Sequence, residues 1–510
     1  MVRLGNFSYD IDVSIEDIKS PLPARKVFFE SEKKTEDVNE QPTVVPRIEN
    51  VEQPIKTEEI KKKNKKPLIL IVVLAVLLLL GGGIFFFSKS RNVDKTVTLN
   101  YWGLWEDESV MNGIIADFEA KNPNIKIVYK KKQKDGYRGL LAGRLSKSGD
   151  VEDVPDIFRI HNTWIPMFEN NLAPVPDETA TNIGLETDFF DVYKNDLKVS
   201  GKWVSVPLMY DGLVMFYNQE LLNKAQVEVP KDWWGLKKAA VKITEKDDKE
   251  KIKVAGAAIG LVENVDHWSD IIGLMVKQNG VNFKDIGTTE NATKLKDVFS
   301  FYTLFKTSDK VWDETLPNST QFFASGNLGF YFGPSWRVFD IQALNPNLKF
   351  GVAGVPQLPT TASVSTSEVG AGAELTNIYW ASYWTEGVNS KSKYQKEAWK
   401  FLEYLSSAEV LEKMYQADSQ IRSFGQIYPR KSMVNKISSN EKIKPLVETA
   451  NNATSWYLAS NTWDDGLNTQ MQKYFSDAIN TILINSSDAE DAITTVVSGI
   501  SQLQQKYGFK

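Results

Sequence analysis

Several short stretches of the chain set a flat aromatic ring beside a group that reads hydroxyls: Trp105-Glu106, Asn162-Thr163-Trp164, Tyr210-Asp211 and the ring of Trp336. Trp268 and Trp384 are further aromatic candidates in polar surroundings. A carboxylate accepts two hydroxyl hydrogen bonds, and charge-assisted bonds are the stronger kind. An indole covers the apolar face of a pyranose while polar neighbours read its edge. The pattern suits a neutral oligosaccharide better than an amino acid, which would want a fixed cation for its carboxylate; these stretches hold no Arg or Lys. Each candidate has a plainer counterpart. Large aromatics usually fill cores, Asp211 suits a turn, and Glu106 suits the first turn of a helix. Arg430 reads as structural. Two carboxylates across a cleft are also the equipment of a glycosidase, where they stand about 5–10 Å apart. No Gly-x-Ser-x-Gly elbow or phosphate-binding loop accompanies them, so binding without catalysis is the expectation. Cysteine is absent and there are 2 histidines, His161 and His267. A zinc site needs three or four ligands, so no metal and no cofactor is expected, and both histidines read as ordinary polar residues.

These stretches follow apolar runs. Val97–Trp102, Ile125–Tyr129 and Asp156–Ile160 read as strands. Between them Val110, Ile114, Ile115 and Phe118 fall at helical spacing, and 137–145 reads as a second helix. Strand–helix alternation predicts an α/β domain with a largely parallel sheet. In such sheets ligands bind beyond the carboxyl ends of the strands, where Trp105, Glu106, Asn162, Thr163 and Trp164 stand.

Further along, Pro207-Leu208, Val214-Met215-Phe216-Tyr217-Asn218, Leu222 and Lys224 follow a Pro-apolar, apolar-apolar-Tyr-Asn pattern, with Met209 departing from it. Val229–Leu236, Phe323–Trp336, Gly351–Pro359, Lys396–Leu405 and Tyr428–Ser432 add further short motifs. In number and order these resemble the family 1 extracellular solute-binding proteins, the maltose-binding-protein-like receptors of ABC importers, over residues 97–510. The resemblance implies a two-lobed periplasmic-binding-protein-like fold (type 2). Lobe one would be about 97–210 and 360–425, and lobe two about 211–359 and 426–510. A carbohydrate would sit between the lobes, which close around it, and ABC permease transmembrane subunits would receive it. The matching loops would supply Glu106, Asn162, Thr163 and Asp211 to hydroxyls, and Trp336 as the stacking ring, with Trp105, Trp164, Tyr210, Trp268 and Trp384 around it. The alternatives are a ligand-sensing receptor that signals through its N-terminal tail, and a glycan-acting hydrolase.

Residues 67–87 carry no charge over about the twenty residues a helix needs to cross a bilayer. Lys61, Lys62, Lys63, Lys65 and Lys66 precede them, so positive-inside bias places 1–66 in the cytoplasm and the domain after tether 88–96 outside. The long leading segment and the bulky Ile84–Phe87 flank predict an uncleaved signal anchor in the lipid bilayer. Residues 1–66 are polar and charged, a composition that predicts disorder. A net charge of −5 and pI near 5.5 argue against nucleic-acid binding. The roughly four hundred residues beyond the anchor are ample for a core without disulfides, and a monomeric ectodomain is expected. Protease added to intact cells should digest an epitope at Lys510 and spare one at Met1; the reverse protection would refute this topology.

Overall fold

The computed structural model describes residues 96–147, 153–360, 374–485 and 489–509. The expected anchor, tether and tail lie outside these residues. Among the described residues no helix is long and apolar enough to cross a membrane.

The chain runs β1 (Val97–Gly103), α1 (Glu108–Lys121), β2 (Ile125–Lys131), α2 (Tyr137–Ser146) and β3 (Ile157–His161). It continues through β4 (Leu213–Asn218), α3 (Trp233–Ile243), β5 (Glu245–Lys246), β6 (Ile252–Ala257), α4 (Trp268–Gln278), α5 (Thr289–Thr307), β7 (Leu328–Pro334) and β8 (Phe350–Ala353). Then come β9 (Trp384–Val388), α6 (Gln395–Leu405), α7 (Leu467–Ile484) and α8 (Ala489–Tyr507). The strands form two main sheets, ordered β9-β3-β1-β2 and β8-β4-β7-β6-β5. This is the two-lobed α/β arrangement.

The first three strands pair in parallel, as the sequence predicts. The sheets as wholes are mixed. β9 returns from late in the chain and pairs antiparallel to β3, and β4 pairs antiparallel to both β7 and β8. The expected parallel pairing therefore holds for the N-terminal strands and for β6 with β7, because alternation between neighbours in sequence says nothing of a strand that arrives from far away.

Local signals explain the joins. Asp107 caps α1, its carboxylate accepting from Ser109 N at 2.9 Å. Asn218 ends β4 and caps the following helix, accepting from Glu220 N at 3.0 Å and Leu221 N at 3.1 Å, while its amide donates to Gly326 O at 3.0 Å. The Tyr-Asn motif is thus a strand-to-helix joint. Asp232 caps α3 in the same way. Gly351 lies under the Tyr217 ring, where an added Cβ would sit 2.1 Å from the ring carbon Cζ. Arg430 donates to Ser406 O and to Asp188, both at 2.8 Å, the structural role its sequence context suggested.

One polar cluster is buried in the first sheet. Arg159 on β3 is 1% exposed. It donates to both oxygens of Glu106, at 2.7 and 2.6 Å, and its Nε donates to Glu386 Oε1 at 2.6 Å. Tyr101 adds a bond to Glu386 at 3.1 Å. Burial opposes the Arg159 charge, but Glu106 and Glu386 outweigh it and hold its pKa above the usual range. Removing one partner of a buried ion pair strands the other charge. Arg159→Met should therefore cost about 3–5 kcal/mol of unfolding free energy, read by urea denaturation. A loss under about 1 kcal/mol would show the cluster is dispensable.

Candidate functional site

A cavity of about 330 Å³ lies between the two sheets, at the carboxyl ends of β1, β3 and β7. From the first sheet it takes Trp105 after β1, His161 at the end of β3, and Trp384 at the start of β9. From the second it takes Asp211 to Leu213 entering β4, and Pro334, Ser335 and Trp336 leaving β7. Segments around Arg422–Ile427 and Ser460–Trp463 close it.

The walls are strongly aromatic. Trp105 packs edge-on to Trp384 at 5.5 Å and is tilted against Trp463 at 6.1 Å. Trp384 also packs edge-on to His161 at 5.1 Å, the residue opposite it in the β9–β3 register. Trp336 is half-buried; the Arg337 guanidinium stands 4.4 Å from its ring centre, and the His267 ring packs edge-on to it at 6.0 Å. Phe339 and Phe424 add to the wall and pack together at 4.6 Å.

Asp211 is the polar anchor of the cavity floor. It accepts from Ser335 N at 3.0 Å, Ser335 Oγ at 2.9 Å and Gly212 N at 2.7 Å. Burial still wins and pushes its pKa from 3.8 up to about 6. Burial lowers both histidines, His161 to about 3, so both are neutral imidazoles at physiological pH. His161 bonds Thr163 Oγ1 at 2.8 Å and Ser382 Oγ at 3.1 Å. His267 contacts Ser460 Oγ at 2.7 Å and accepts from Arg337 Nε at 2.9 Å. Asp270 accepts from Trp380 Nε1 at 2.9 Å and from Ser460.

Of the residues proposed from sequence, Trp105, Tyr210, Asp211, Trp336 and Trp384 line this cavity. Five do not. Glu106 is 2% exposed, its carboxylate taken up by Arg159. Trp164 is fully buried behind Trp384, ring to ring at 5.3 Å. Asn162 and Thr163 line a different cavity; they lie in the single 3-10 turn Asn162–Trp164 that follows β3. Trp268 opens α4 and packs half-buried against the core. Within the Tyr210 contribution, the ring is buried against Phe190 at 4.9 Å.

Sequence reasoning missed Trp463, Phe339, Phe424, both histidines as lining residues, and two cations. Lys134 sits 4.3 Å over the Trp463 ring, and Arg422 pairs with Asp418 while its guanidinium stands 5.3 Å from Phe339. The cavity is therefore not free of basic groups, as the stretches read from sequence suggested; it draws on segments they did not include. Trp463 had a faint signal in Asn461-Thr-Trp463-Asp-Asp465. Asn461, Trp463 and Asp465 all take positive φ, a strained loop of the kind found at ligand sites. Asp464 holds it by accepting from Gly466 N at 3.0 Å and Asn468 N at 2.7 Å.

Residues 113–444 match the family model described as bacterial extracellular solute-binding protein. A multiple sugar-binding protein of Streptococcus mutans is 24% identical over 339 residues, 64% of this chain and 76% of that protein. An ABC transporter solute-binding protein of Thermotoga lettingae, solved with α-D-tagatose, superposes with a TM-score of 0.58 at 20% identity, covering 80% of this chain and 99% of that one. The cyclic α-maltosyl-1,6-maltose binding protein of Arthrobacter globiformis gives 0.60 at 18% identity, with coverage of 80% and 99%.

The raised pKa of Asp211 makes a pH prediction. Its folded value lies above the ordinary one, so the ionised form costs stability above about pH 6, and the cost is relieved as pH falls toward 4. At about 1.4 kcal/mol per unit this amounts to about 3 kcal/mol. Relative to wild type, Asp211→Asn should gain stability as pH rises from about 4 to about 7, read by urea unfolding across that window. Parallel curves for the two proteins would refute the assignment.

Proposed function

The chain belongs to the bacterial extracellular solute-binding protein family, and we propose that its cleft captures a short carbohydrate outside the cell for an ABC importer. The observation that carries this reading is the wall of Trp105, Trp336, Trp384 and Trp463 around a floor of Asp211, Ser335 and neutral histidines. Flat apolar faces beside neutral donors and two buried carboxylates match a pyranose, whose faces are apolar and whose rim is hydroxyl. The sugar ligands of the Streptococcus, Thermotoga and Arthrobacter proteins agree with it. The family is one of binding proteins, not enzymes, and the cleft's carboxylates accord with that. Asp211 and Asp270 are occupied by internal hydrogen bonds rather than poised across a sugar ring.

The cavity of about 330 Å³ is near the lower end of the ligand-site range of about 300–1,000 Å³, which favours one or two sugar rings over a long chain. Lys134 and Arg422 at the wall favour including uronate-bearing sugars in any screen. The remaining parts of the proposal follow from the sequence. Residues 67–87 anchor the protein in the bilayer with 1–66 inside the cell. The lobes divide at about 210/211, 359/360 and 425/426, and close on the ligand as a hinge. The domain acts as a monomer, and permease transmembrane subunits receive the sugar.

A thermal-shift screen over mono-, di- and trisaccharides, neutral and uronate-bearing, tests the reading. A ligand at a hundredfold its Kd stabilises by about 2.7 kcal/mol. Trp336→Ala should weaken that sugar by about 2 kcal/mol, roughly thirtyfold in Kd, and leave the unliganded protein folded. The reading fails if no saccharide shifts the melting temperature while a peptide or inorganic anion does.

A further inference from the structure

A second cavity, of about 210 Å³, is lined by residues adjacent in sequence to those of the first but by none of the same ones. His161 lines the cleft, whereas the next two residues, Asn162 and Thr163, line the second cavity. Ser382 and Trp384 line the cleft, whereas Tyr383 between them sends its hydroxyl to Asp196, a wall residue of the second cavity, at 2.7 Å. At about 30 Å³ per water the space exceeds what a single bridging water fills.

Its lining is charged at two places. Asp196, at the end of the short helix Val192–Asp196, accepts from Tyr383 and from Asn162 Nδ2 at 3.1 Å through one oxygen. Ser455 Oγ stands 2.7 Å from both oxygens and is the other oxygen's one hydrogen-bond partner among the described residues. A carboxylate offers about four acceptor positions, so Oδ1 retains capacity toward a new donor. Lys277, on α4, supplies the cation. Among the described residues its ammonium makes no ion pair, and the Phe283 ring stands 5.4 Å from it. One cavity thus carries a carboxylate and an ammonium that feel each other's charge without forming an ion pair. Their surroundings resist both charges: burial raises the Asp196 pKa and lowers that of Lys277, each charge only partly offsetting the other's penalty.

We propose that this cavity binds a small zwitterion, a free α-amino acid, with its ammonium on Asp196 and its carboxylate on Lys277. A neutral polyol would leave both charges unmatched, and a simple anion or cation would match one. The opposite charges of an α-amino acid, two bonds apart across one carbon, match both in a space of this size. The site is lined by different residues from the sugar cleft.

The test is isothermal titration of the full-length, detergent-solubilised protein with glycine, L-alanine and L-serine. Acetate and ethylammonium serve as one-ended controls. At least one amino acid should bind, and both controls should bind far more weakly. Lys277→Met and Asp196→Asn should each weaken the amino acid about tenfold or more, the worth of a charge-assisted hydrogen bond, whereas Trp336→Ala should leave it unchanged. If Asp196→Asn fails to fold, Lys277→Met on its half-buried side chain decides alone. The proposal is overturned if none of the three amino acids binds. It is equally overturned if Lys277→Met binds as wild type, or if Trp336→Ala rather than Lys277→Met abolishes binding, since the ligand would then lie in the cleft.

Discussion

One buried guanidinium organises the first lobe. Arg159 joins Glu106, just after β1, to Glu386 on β9, a strand that returns 227 residues later. β9 and β3 pair antiparallel with Glu386 opposite Arg159 and Trp384 opposite His161. Residues two apart on a strand share a face. The ion cluster and the aromatic pair therefore occupy neighbouring rungs of one face, and fixing the first sets the second. Such a cluster is costly to bury, and its value here is positional: it selects one register, and a slip of one residue would turn Trp384 away from the cleft.

The same economy appears where the chain passes between the sheets. Asp211 O accepts from Ser382 N at 3.0 Å, Tyr210 N donates to Ile427 O at 2.9 Å, and Gly212 bridges Ala381. Three distant segments meet within a few residues, so the backbones approach closely. A Cβ on Gly212 would stand 2.1 Å from Trp380 O, and only glycine fits. Asp211 ties this junction to the end of β7 through Ser335. The cleft floor is thus made where the chain crosses between the two sheets.

The cleft is electrically quiet at its centre and charged at its margin. Both histidines stay neutral because burial outweighs the nearby aspartates. Asp270 spends its acceptors on Trp380 and Ser460. The cations stand against aromatic rings, which lowers the cost of holding them beside an apolar wall.

How much of this was legible in the sequence depends on range. The strands β1, β2 and β3, the helices between them, and the Asn218 and Asp232 caps depend on neighbours a few residues away, and their patterns are written locally. The pairing of an aromatic ring with polar surroundings pointed to Trp105, Tyr210-Asp211, Trp336 and Trp384, which line the cleft. It could not separate them from Glu106, Asn162, Thr163 and Trp164, because that distinction is one of direction. Glu106 turns inward only because Arg159 waits there, and Asn162 turns away only because His161 takes the cleft side. Lys134 and Arg422 enter from other segments, brought in by packing that leaves no local mark, and Trp463 left only a faint one. Sequence alone therefore determined the elements and the chemistry available near their ends. Only the tertiary structure decided which side chains share a cavity, since that follows from strand register and buried charge across hundreds of residues.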